Sequence, residues 1–395
     1  MLSPPEDLLD PRHYERVRRP PLEASTLPAW CYTSPEWYRL ELERIFMRAW
    51  NLVGREDRAP APGDYVTLEY AGVPVIVVRG KDGVVRAFAN TCRHRGSMLL
   101  EGAGKCRAIK CRYHGWTYGL DGRLAGVPDM EETRGFRRED YGLVPVRLET
   151  WAGFMFLSFD PAGPSLAEWL GELPERAAPY APEELVTTRR VEYELRCNWK
   201  LYVENFKDMS HTREVHRTTL WPMQERFAAP AAFESGRGEW LAGFVQHQGS
   251  RAILGGVGSA ETGAGVKGFP TIASLRGHNR EGSYYPTIFP LACFGFCNDS
   301  AWFLEMYPLG PDRMRLVVAS CFHKETVARP DFEVLAPLYY RRMDIAVPED
   351  NAANENTQRG LASPLALPGR MGHLEEAVGL LNRWWIERTI GTSNG

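Results

Sequence analysis

Residues 92–118 of this sequence read CRHRGSMLLEGAGKCRAIKCRYHGWTY. The stretch contains two pairs of metal-binding residue types: one residue separates Cys92 from His94, and two residues separate Cys111 from His114. Sixteen residues lie between the two pairs, and they include a third cysteine, Cys106. Two loops that each offer one thiolate and one imidazole can hold a metal centre between them.

Three interpretations of these pairs are open. Two cysteines and two histidines can hold zinc in a tetrahedron. They can also hold a [2Fe–2S] cluster, with both thiolates on one iron and both imidazoles on the other. In the third interpretation the residues are ordinary core thiols and histidines, which two mixed pairs at this spacing disfavour. Zinc fingers usually group like ligands together, so the mixed pairs favour the iron–sulfur cluster. Cys106 lies outside both pairs and is interpreted as a buried thiol.

The composition excludes several other classes of protein. The chain has 395 residues with a net charge of −3, whereas a nucleic-acid-binding surface normally shows a basic excess. No run of about 18 apolar residues is present, so no membrane span is expected. The N-terminal stretch lacks the apolar core of a signal peptide, and we therefore expect a cytoplasmic protein. Without a secretion signal, eight cysteines do not predict a disulfide framework.

The pattern of residues along the chain predicts three segments. Residues 1–47 form a polar arm that leads into a helix, with Ser34 as its N-cap and Pro35 in its first turn. Residues 48–160 alternate with a period of two and predict a small β-domain, with the Cys/His pairs on two of its loops. Residues 161–395 mix helices and strands. Their glycine-rich stretch 255–268 lacks a P-loop ending and is predicted to be a surface loop.

A second group of candidate ligands lies at residues 208–216. Asp208 and His211 are three residues apart, which places them on one face if the segment is helical. His216 is five residues further on, about 140° round an ideal helix, so the helix must end or bend for both imidazoles to meet one metal. Two histidines and a carboxylate bind Fe(II) and leave positions open for O2. The alternative is a solvated amphipathic helix that happens to carry two histidines.

The segments NTCRHRG (90–96) and CRYHGWTY (111–118) resemble the two signature loops of the Rieske oxygenases. The resemblance implies that Cys92 and Cys111 hold one iron of a [2Fe–2S] cluster, that His94 and His114 hold the other, and that Trp116 packs beside the cluster. It also implies an α+β fold, in which a small antiparallel Rieske domain accompanies a larger catalytic domain of the helix-grip type.

The same resemblance extends to the second group of ligands. The downstream stretch PEDNAANENTQRG (348–360) is similar to the family's acidic motif. It implies that His211, His216 and Asp350 bind a mononuclear iron, with Glu349 as the alternative carboxylate. Asp208 would then bridge His211 and a cluster histidine of the next subunit in a head-to-tail homotrimer. Ser210 departs from the pattern, because the family often has tyrosine there.

The resemblance implies a terminal oxygenase subunit. It would use O2 and electrons from NAD(P)H, delivered by a separate flavin and iron–sulfur reductase with or without a ferredoxin. The outcomes known in the family are hydroxylation, dihydroxylation and oxidative demethylation. The segments YYPTIFP (284–290) and MYPLGPDRMRL (306–316) are most similar to the branch with choline, glycine-betaine and carnitine oxygenases, which also contains aromatic-acid hydroxylases. Two other functions remain open: an electron carrier without the second iron, and a structural zinc protein.

The substrate is a quaternary amine or an aromatic compound on this interpretation. A quaternary ammonium would need aromatic faces around it, whereas an aromatic acid would need an arginine or lysine for its carboxylate. Apolar side chains near the expected iron site are candidates for the pocket wall, although such residues also form ordinary cores. The candidates are Phe206, Met209, Trp221, Phe289 and Phe296.

Overall fold

Residues 5–224, 232–246 and 268–391 are described by the computed structural model of the chain. The chain divides into two compact units, Met47–Leu166 and a larger unit formed by Met1–Phe46 with Ala167–Gly395. Within the described ranges no helix combines the length and the apolar character that a membrane crossing requires. Residues 255–267 of the glycine-rich stretch lie outside the described residues.

The smaller unit is built from antiparallel strands, and all of its residues are described. Seven strands form one sheet in the order β1-β10-β9-β4-β3-β2-β5, and three form a second in the order β6-β7-β8. The strands are β1 (Asn51–Arg55), β2 (Asp64–Tyr70), β3 (Val73–Arg79), β4 (Val85–Ala89), β5 (Ala103–Lys105), β6 (Ile109–Lys110), β7 (Thr117–Tyr118), β8 (Leu124–Gly126), β9 (Pro145–Trp151) and β10 (Phe154–Ser158).

The core of the smaller unit includes the Cys/His region. Alternate residues of β3 and β4, among them Ile76, Val78 and Phe88, pack with Cys92 and Cys111 in one buried cluster. The side chains of a strand alternate between its two faces, and the burial of β2 alternates accordingly, whereas four successive residues of β3 are buried. Burial in this cluster fixes the positions of the two cysteines.

The described residues of the larger unit form a seven-stranded antiparallel sheet with helices. The sheet order is β11-β17-β16-β15-β14-β13-β12. The strands are β11 (Leu185–Leu195), β12 (Ala232–Ser235), β13 (Trp240–Gln246), β14 (Gly282–Ile288), β15 (Ala292–Phe296), β16 (Ala301–Gly310) and β17 (Arg313–His323). The helices are α1 (Trp30–Thr33), α2 (Pro35–Glu41), α3 (Leu166–Leu170), α4 (Leu173–Ala177), α5 (Trp199–Lys207), α6 (Trp221–Gln224), α7 (Lys324–Val327), α8 (Phe332–Leu361) and α9 (Glu376–Ile390). The structure combines antiparallel sheets with helices, which agrees with the predicted α+β class.

The N-terminal helix begins as predicted. The Ser34 hydroxyl accepts a hydrogen bond from the backbone N–H of Trp37 at 3.1 Å, which is the N-cap arrangement. The α-helix ends at Glu41, because a wider turn of π type occupies Leu42–Phe46. Such a turn rotates the residues that follow it relative to the first part of the helix.

A buried ion pair ties this N-terminal helix to α5, the helix that leads into the candidate iron site. The Lys200 ammonium lies 2.5 Å from the Glu41 carboxylate, and both side chains are buried, each 1% exposed. The indole N–H groups of Trp37 and Trp199 also donate to Glu41. Because the buried charges are paired and hydrogen-bonded, removing either partner would leave an uncompensated charge. The contacts therefore hold α5 in one position.

Candidate metal centres and active site

The two Cys/His pairs lie on two loops with the same backbone turn. In each loop a glycine donates its N–H to the carbonyl of the cysteine four residues earlier, from Gly96 to Cys92 at 2.9 Å and from Gly115 to Cys111 at 3.1 Å. The two glycines have φ angles of +73° and +72°, a left-handed conformation that other residues rarely adopt. The two cysteines therefore begin equivalent turns, although the histidine stands two residues after Cys92 and three residues after Cys111.

The four side chains of these loops converge. The cysteine thiols are buried, and the Cys92 side chain acts to lower the pKa of Cys111. The histidine rings are exposed, and their centroids lie 4.8 Å apart. A buried pair of sulfurs beside an exposed pair of imidazoles fits a [2Fe–2S] cluster with one iron on each pair. The donor set therefore fits a [2Fe–2S] cluster, with the thiols of Cys92 and Cys111 buried and the imidazoles of His94 and His114 at the surface.

The protonation states favoured by the loops also suit metal binding. Burial acts to raise the pKa of the Cys111 thiol, but hydrogen bonds from the backbone of Tyr113 and His114 outweigh it and lower that pKa below its usual value. Desolvation, with the neighbouring His114 and Arg95, lowers the pKa of His94. A thiolate and a neutral imidazole are the forms that ligate a metal.

Two aromatic side chains support the loops. The indole of Trp116 stacks on the His94 ring with centroids 4.8 Å apart and planes within 7°. The hydroxyl of Tyr118 lies 3.4 Å from the Cys92 sulfur and accepts a hydrogen bond from the N–H of Arg93 at 3.0 Å. Trp116 was expected beside the cluster, whereas the contact of Tyr118 was missed although it stands in the quoted motif. No local spacing relates Tyr118 to Cys92, which lies 26 residues earlier in the chain, so only the tertiary structure shows this contact.

In the larger unit, His211, His216 and Asp350 form a second group. One ligand atom from each lies within 4.8 Å of the others. The Asp350 Oδ1 atom lies 3.0 Å from Nε2 of His216 and 3.6 Å from Nε2 of His211. Two imidazole nitrogens and one carboxylate that converge in this way can hold Fe(II) on one side and leave its other positions open.

Glu349 occupies a different position from Asp350. Its Oε2 atom lies 2.7 Å from Nδ1 of His216, on the side of the ring away from Asp350, and accepts a hydrogen bond from the Thr219 hydroxyl. A carboxylate on the second nitrogen of a ligating histidine fixes the orientation of the ring. Burial acts to lower the pKa of His216, but Asp350 and Glu349 outweigh it and raise that pKa. The same negative charge would attract a metal cation to this place.

The prediction that Asp208 and His211 share a helix face was wrong. Helix α5 ends at Lys207, and His211 begins a separate turn of 3-10 helix. The Asp208 carboxylate accepts hydrogen bonds from the N–H groups of Ser210 and His211, which turns the chain out of the helix. The Ser210 hydroxyl also donates to Asp208, at 2.5 Å. The helix therefore ends before the two histidines, as their five-residue spacing required.

Asp208 nonetheless lies close to His211. Its Oδ2 atom is 3.6 Å from Nδ1 of His211, just beyond hydrogen-bonding distance. That buried Nδ1 atom has no hydrogen-bond partner among the described residues. Burial acts to raise the pKa of Asp208, but the nearby His211 side chain and the hydrogen bonds from Ser210 outweigh it and lower that pKa.

A cavity of about 140 Å³ adjoins the His/His/Asp group. Phe206 and Met209 line it, together with Tyr202, Tyr285 and Trp302. Three of the rings contact one another: the Phe206 centroid lies 6.3 Å from that of Tyr285 and 5.6 Å from that of Trp302, and the latter two are 6.1 Å apart. Gly295 makes room for the Trp302 indole, because a Cβ there would lie 2.3 Å from its Cε2 atom.

Three of the five proposed pocket residues do not line this cavity in the described structure. Phe289 packs on Trp384 with centroids 5.0 Å apart, and Phe296 stacks on Tyr180 at 5.8 Å. Trp221 lies under the guanidinium of Arg213. Phe289 and Phe296 are core residues instead, and the prediction for them was wrong because their rings face other elements of the unit.

Two cationic residues of the cavity wall were missed. Lys207 ends α5, is 2% exposed, and donates to the carbonyl of Tyr285 at 2.6 Å. Arg342 lies on α8 and is 9% exposed. On that helix it belongs to a buried stripe with Tyr339 and Ala346, at spacings of three and four. A charged residue at an apolar position of an amphipathic helix is the signal that could have identified it.

Replacing Lys207 by methionine is expected to stabilise the protein in a pH-dependent way. Burial lowers the pKa of Lys207 to about 7, whereas an unfolded lysine has a pKa near 10.4. At pH 6 both states are protonated and the folded state bears the full cost of the buried charge. From pH 7 to 10 the folded state loses the proton first, so the stability of the wild type rises with pH. We therefore expect Lys207→Met to raise the free energy of unfolding by about 4 to 5 kcal/mol at pH 6, a gain that falls towards zero near pH 10.

Thermal unfolding followed by circular dichroism between pH 6 and 10 measures this gain. Lys81→Met, at an exposed turn, serves as the control and should show no pH-dependent difference. A gain for Lys207→Met that stays constant across the range would show that the charge of Lys207 does not oppose folding.

Comparison with known proteins places both units in one family. A model described as the Rieske [2Fe-2S] domain matches residues 49–142, and one described as the ring hydroxylating alpha subunit (catalytic domain) matches residues 182–390. The chain is 30% identical to the chloroplastic choline monooxygenase of Beta vulgaris over 359 residues, which cover 89% of this chain and 74% of that one. It is 31% identical to the glycine betaine monooxygenase oxygenase subunit of Chromohalobacter salexigens, over 87% and 81% of the two chains.

A solved structure shows the same fold over nearly the whole length. The structure of a quaternary ammonium Rieske monooxygenase, described as revealing carnitine oxidation and inter-subunit electron transfer, matches with a TM-score of 0.77 and 25% identity over 98% of each chain. The fold and the two groups of ligands define an oxidoreductase with an iron–sulfur domain and an iron-dependent catalytic domain. The chain belongs to the family of Rieske ring-hydroxylating oxygenase alpha subunits.

Family membership confirms several expectations from the sequence. The fold class, the oxygenase function and the presence of a Rieske [2Fe–2S] domain beside a catalytic iron domain are as the resemblance implied. The two other functions left open, an electron carrier without the second iron and a structural zinc protein, are not favoured, because a catalytic-domain model matches residues 182–390 and the relatives are named as monooxygenases.

Proposed function

We propose that this chain is a terminal oxygenase component that oxidises a small quaternary amine with O2. The observation that carries the proposal is a His/His/Asp group that opens onto a cavity with three mutually contacting aromatic rings. The relatives named for choline and glycine betaine support the same substrate class. The electrons come from NAD(P)H through a separate reductase that carries a flavin and an iron–sulfur cluster, with or without a ferredoxin.

In this proposal His211, His216 and Asp350 hold the mononuclear iron. The chemistry available at such a centre is reductive activation of O2 at its open positions. The rest of the chain positions the ligands: Glu349 orients His216 through Nδ1, and the Asn205 amide donates to Asp350 Oδ1 at 3.2 Å. These contacts fix which carboxylate oxygen faces the imidazoles.

The Rieske loops would supply electrons one at a time. Cys92 and Cys111 hold one iron of the cluster, and His94 and His114 hold the other, with Trp116 stacked on His94. The exposure of the two histidines supports this role, because an electron enters and leaves most readily through ligands at the surface. His114 of a neighbouring subunit, Asp208 and His211 would form the path to the iron in a head-to-tail homotrimer.

The cavity suits a trimethylammonium group. Cation–π attraction operates when a cation lies within about 6 Å of a ring centroid, and three rings with mutual distances of 5.6 to 6.3 Å can contact one cation together. The cavity volume of about 140 Å³ is close to the roughly 150 Å³ of an engineered cavity that binds benzene. A substrate of fewer than about a dozen heavy atoms is therefore expected.

The composition of the purified protein tests the proposed centres. We expect about three irons and two labile sulfides per chain, with visible absorption from the cluster. Cys111→Ser should remove the sulfide and the absorption, whereas Cys106→Ser, outside both pairs, should leave them unchanged. A protein with zinc and no sulfide would contradict the assignment.

Turnover tests the proposed reaction. With a compatible reductase, NADH and a quaternary amine, one atom of 18O2 should appear in the product, and NADH consumption should depend on the amine. A protein that contains both centres but oxidises only uncharged aromatic compounds would overturn the proposed substrate class and leave the oxygenase class intact.

A further inference from the structure

Arg342 is a buried cation without a carboxylate partner in the described structure. Its side chain lines the cavity, and its Nη1 atom has no hydrogen-bond partner among the described residues. The groups that interact with its guanidinium are the Tyr285 phenol and the Cys297 thiol. A guanidinium is a fork of five donors that matches a carboxylate, and its burial without such a partner is costly. The arrangement indicates a site that a ligand completes.

The other charged residues of the cavity wall do not neutralise Arg342. Asp350 lies against the two histidine imidazoles, at 3.0 and 3.6 Å. Asp208 is held by the hydroxyl and N–H of Ser210. Lys207 adds an amine to the same wall, and its described acceptor is the backbone carbonyl of Tyr285. Among the described residues of the wall, neither Lys207 nor Arg342 forms an ion pair with a carboxylate.

A substrate with only a positive charge does not suit such a wall. Its ammonium would meet aromatic faces, but it would leave the guanidinium unpaired and would add positive charge beside it. A substrate that carries a carboxylate as well would satisfy both needs. Arginine binds carboxylates through two parallel hydrogen bonds, which gives orientation as well as affinity.

We propose that Arg342 binds a carboxylate of the substrate, so that the substrate is a small zwitterion with a quaternary ammonium group at the aromatic rings of Phe206, Tyr285 and Trp302. This inference rests on the proposed function and narrows it from quaternary amines to betaines. The carboxylate and the ammonium would be held at separate places on the wall, which fixes the part of the substrate that faces the iron ligands.

Glycine betaine and choline provide a matched pair of ligands, because both carry a trimethylammonium group and only the former has a carboxylate. Calorimetric titration of the wild-type protein, with both centres filled, should show tighter binding of glycine betaine. Arg342→Met should weaken that binding about 10²-fold, as expected for loss of one partner of a buried charge pair. The affinity of the Arg342→Met variant for choline should change little or rise. Arg342→Lys retains the charge without the fork and should recover part of the affinity for glycine betaine.

Thermal melting and the visible spectrum show whether each Arg342 variant is folded. If Arg342→Met fails to fold, the ratio of the wild-type affinities for glycine betaine and choline, together with the affinities of Arg342→Lys, still decides whether Arg342 binds a carboxylate. A wild-type protein that binds choline as tightly as glycine betaine overturns the inference and leaves the proposed function standing. Binding of benzoate in an Arg342-dependent way, with no binding of either quaternary amine, overturns the zwitterion and the quaternary-amine function together.

Discussion

Replacing Asp350 by alanine is expected to remove the mononuclear iron while the cluster remains. The carboxylate Oδ1 atom is the point at which Nε2 of both His211 and His216 converge, so its loss leaves two imidazoles without the charge that balances Fe(II). Iron content should fall by about one atom per chain, with labile sulfide and visible absorption unchanged. Turnover should fall by about 10³-fold or more, since the group acts as a unit.

Glu349→Gln is the matched control, because it changes the neighbouring carboxylate on the same helix. Glu349 contacts His216 through the other ring nitrogen and should therefore affect iron binding less, by about 10- to 100-fold in affinity. Iron titration of the metal-depleted protein compares the two variants. If Glu349→Gln lost the iron and Asp350→Ala kept it, the assignment of the ligand would have to be reversed.

Asp208→Asn is expected to uncouple the two centres without emptying either. Asparagine keeps the shape of the side chain and an oxygen that can accept from Ser210, but it loses the charge beside Nδ1 of His211. We therefore expect near-normal iron and sulfide contents and a fall in turnover of about 10²-fold, in the range for outer partners of metal ligands. The reduced cluster should be reoxidised more slowly by O2 in the presence of substrate, as measured by stopped-flow absorption.

Ser210→Ala removes the hydroxyl donor to Asp208 and leaves the carboxylate in place. It should lower turnover only a few-fold, since the net contribution of one such hydrogen bond is about 1 kcal/mol. Loss of iron from Asp208→Asn would contradict the electron path, because it would mean that Asp208 serves to hold His211 in position.

The local motifs could be predicted from the sequence because they place their ligands within a few residues of each other. Cys92 and His94 belong to one short turn, and the glycine that closes it, Gly96, is in the same motif. The end of α5 was also predictable in outline, since histidines at positions 211 and 216 cannot meet on a continuous helix. What failed there was the boundary: the side chain of Asp208 turned the chain earlier than the periodicity indicated.

The walls of the cavity could not be predicted in the same way. On β15, Phe296 pairs with Tyr284 across the sheet, and the adjacent Gly295 pairs with Trp302 of the cavity wall. Because a strand alternates its faces, a choice that is wrong by one residue puts a ring on the opposite side of the sheet. Phe296 therefore stacks on Tyr180, while Trp302 takes the place that Phe296 was expected to fill.

The sequence by itself determined the family, because its motifs are short and resemble those of the Rieske oxygenases, and through that resemblance it predicted the α+β class and the two sets of candidate metal ligands. Only the tertiary structure decided that Asp350 faces the two imidazoles while Glu349 lies behind one of them, and that Arg342 and Lys207 share a wall with Trp302. Lys207, Trp302 and Arg342 come from α5, β16 and α8, which are separate elements far apart along the chain. Their approach depends on sheet register and on helix rotation, which result from the packing of the whole unit.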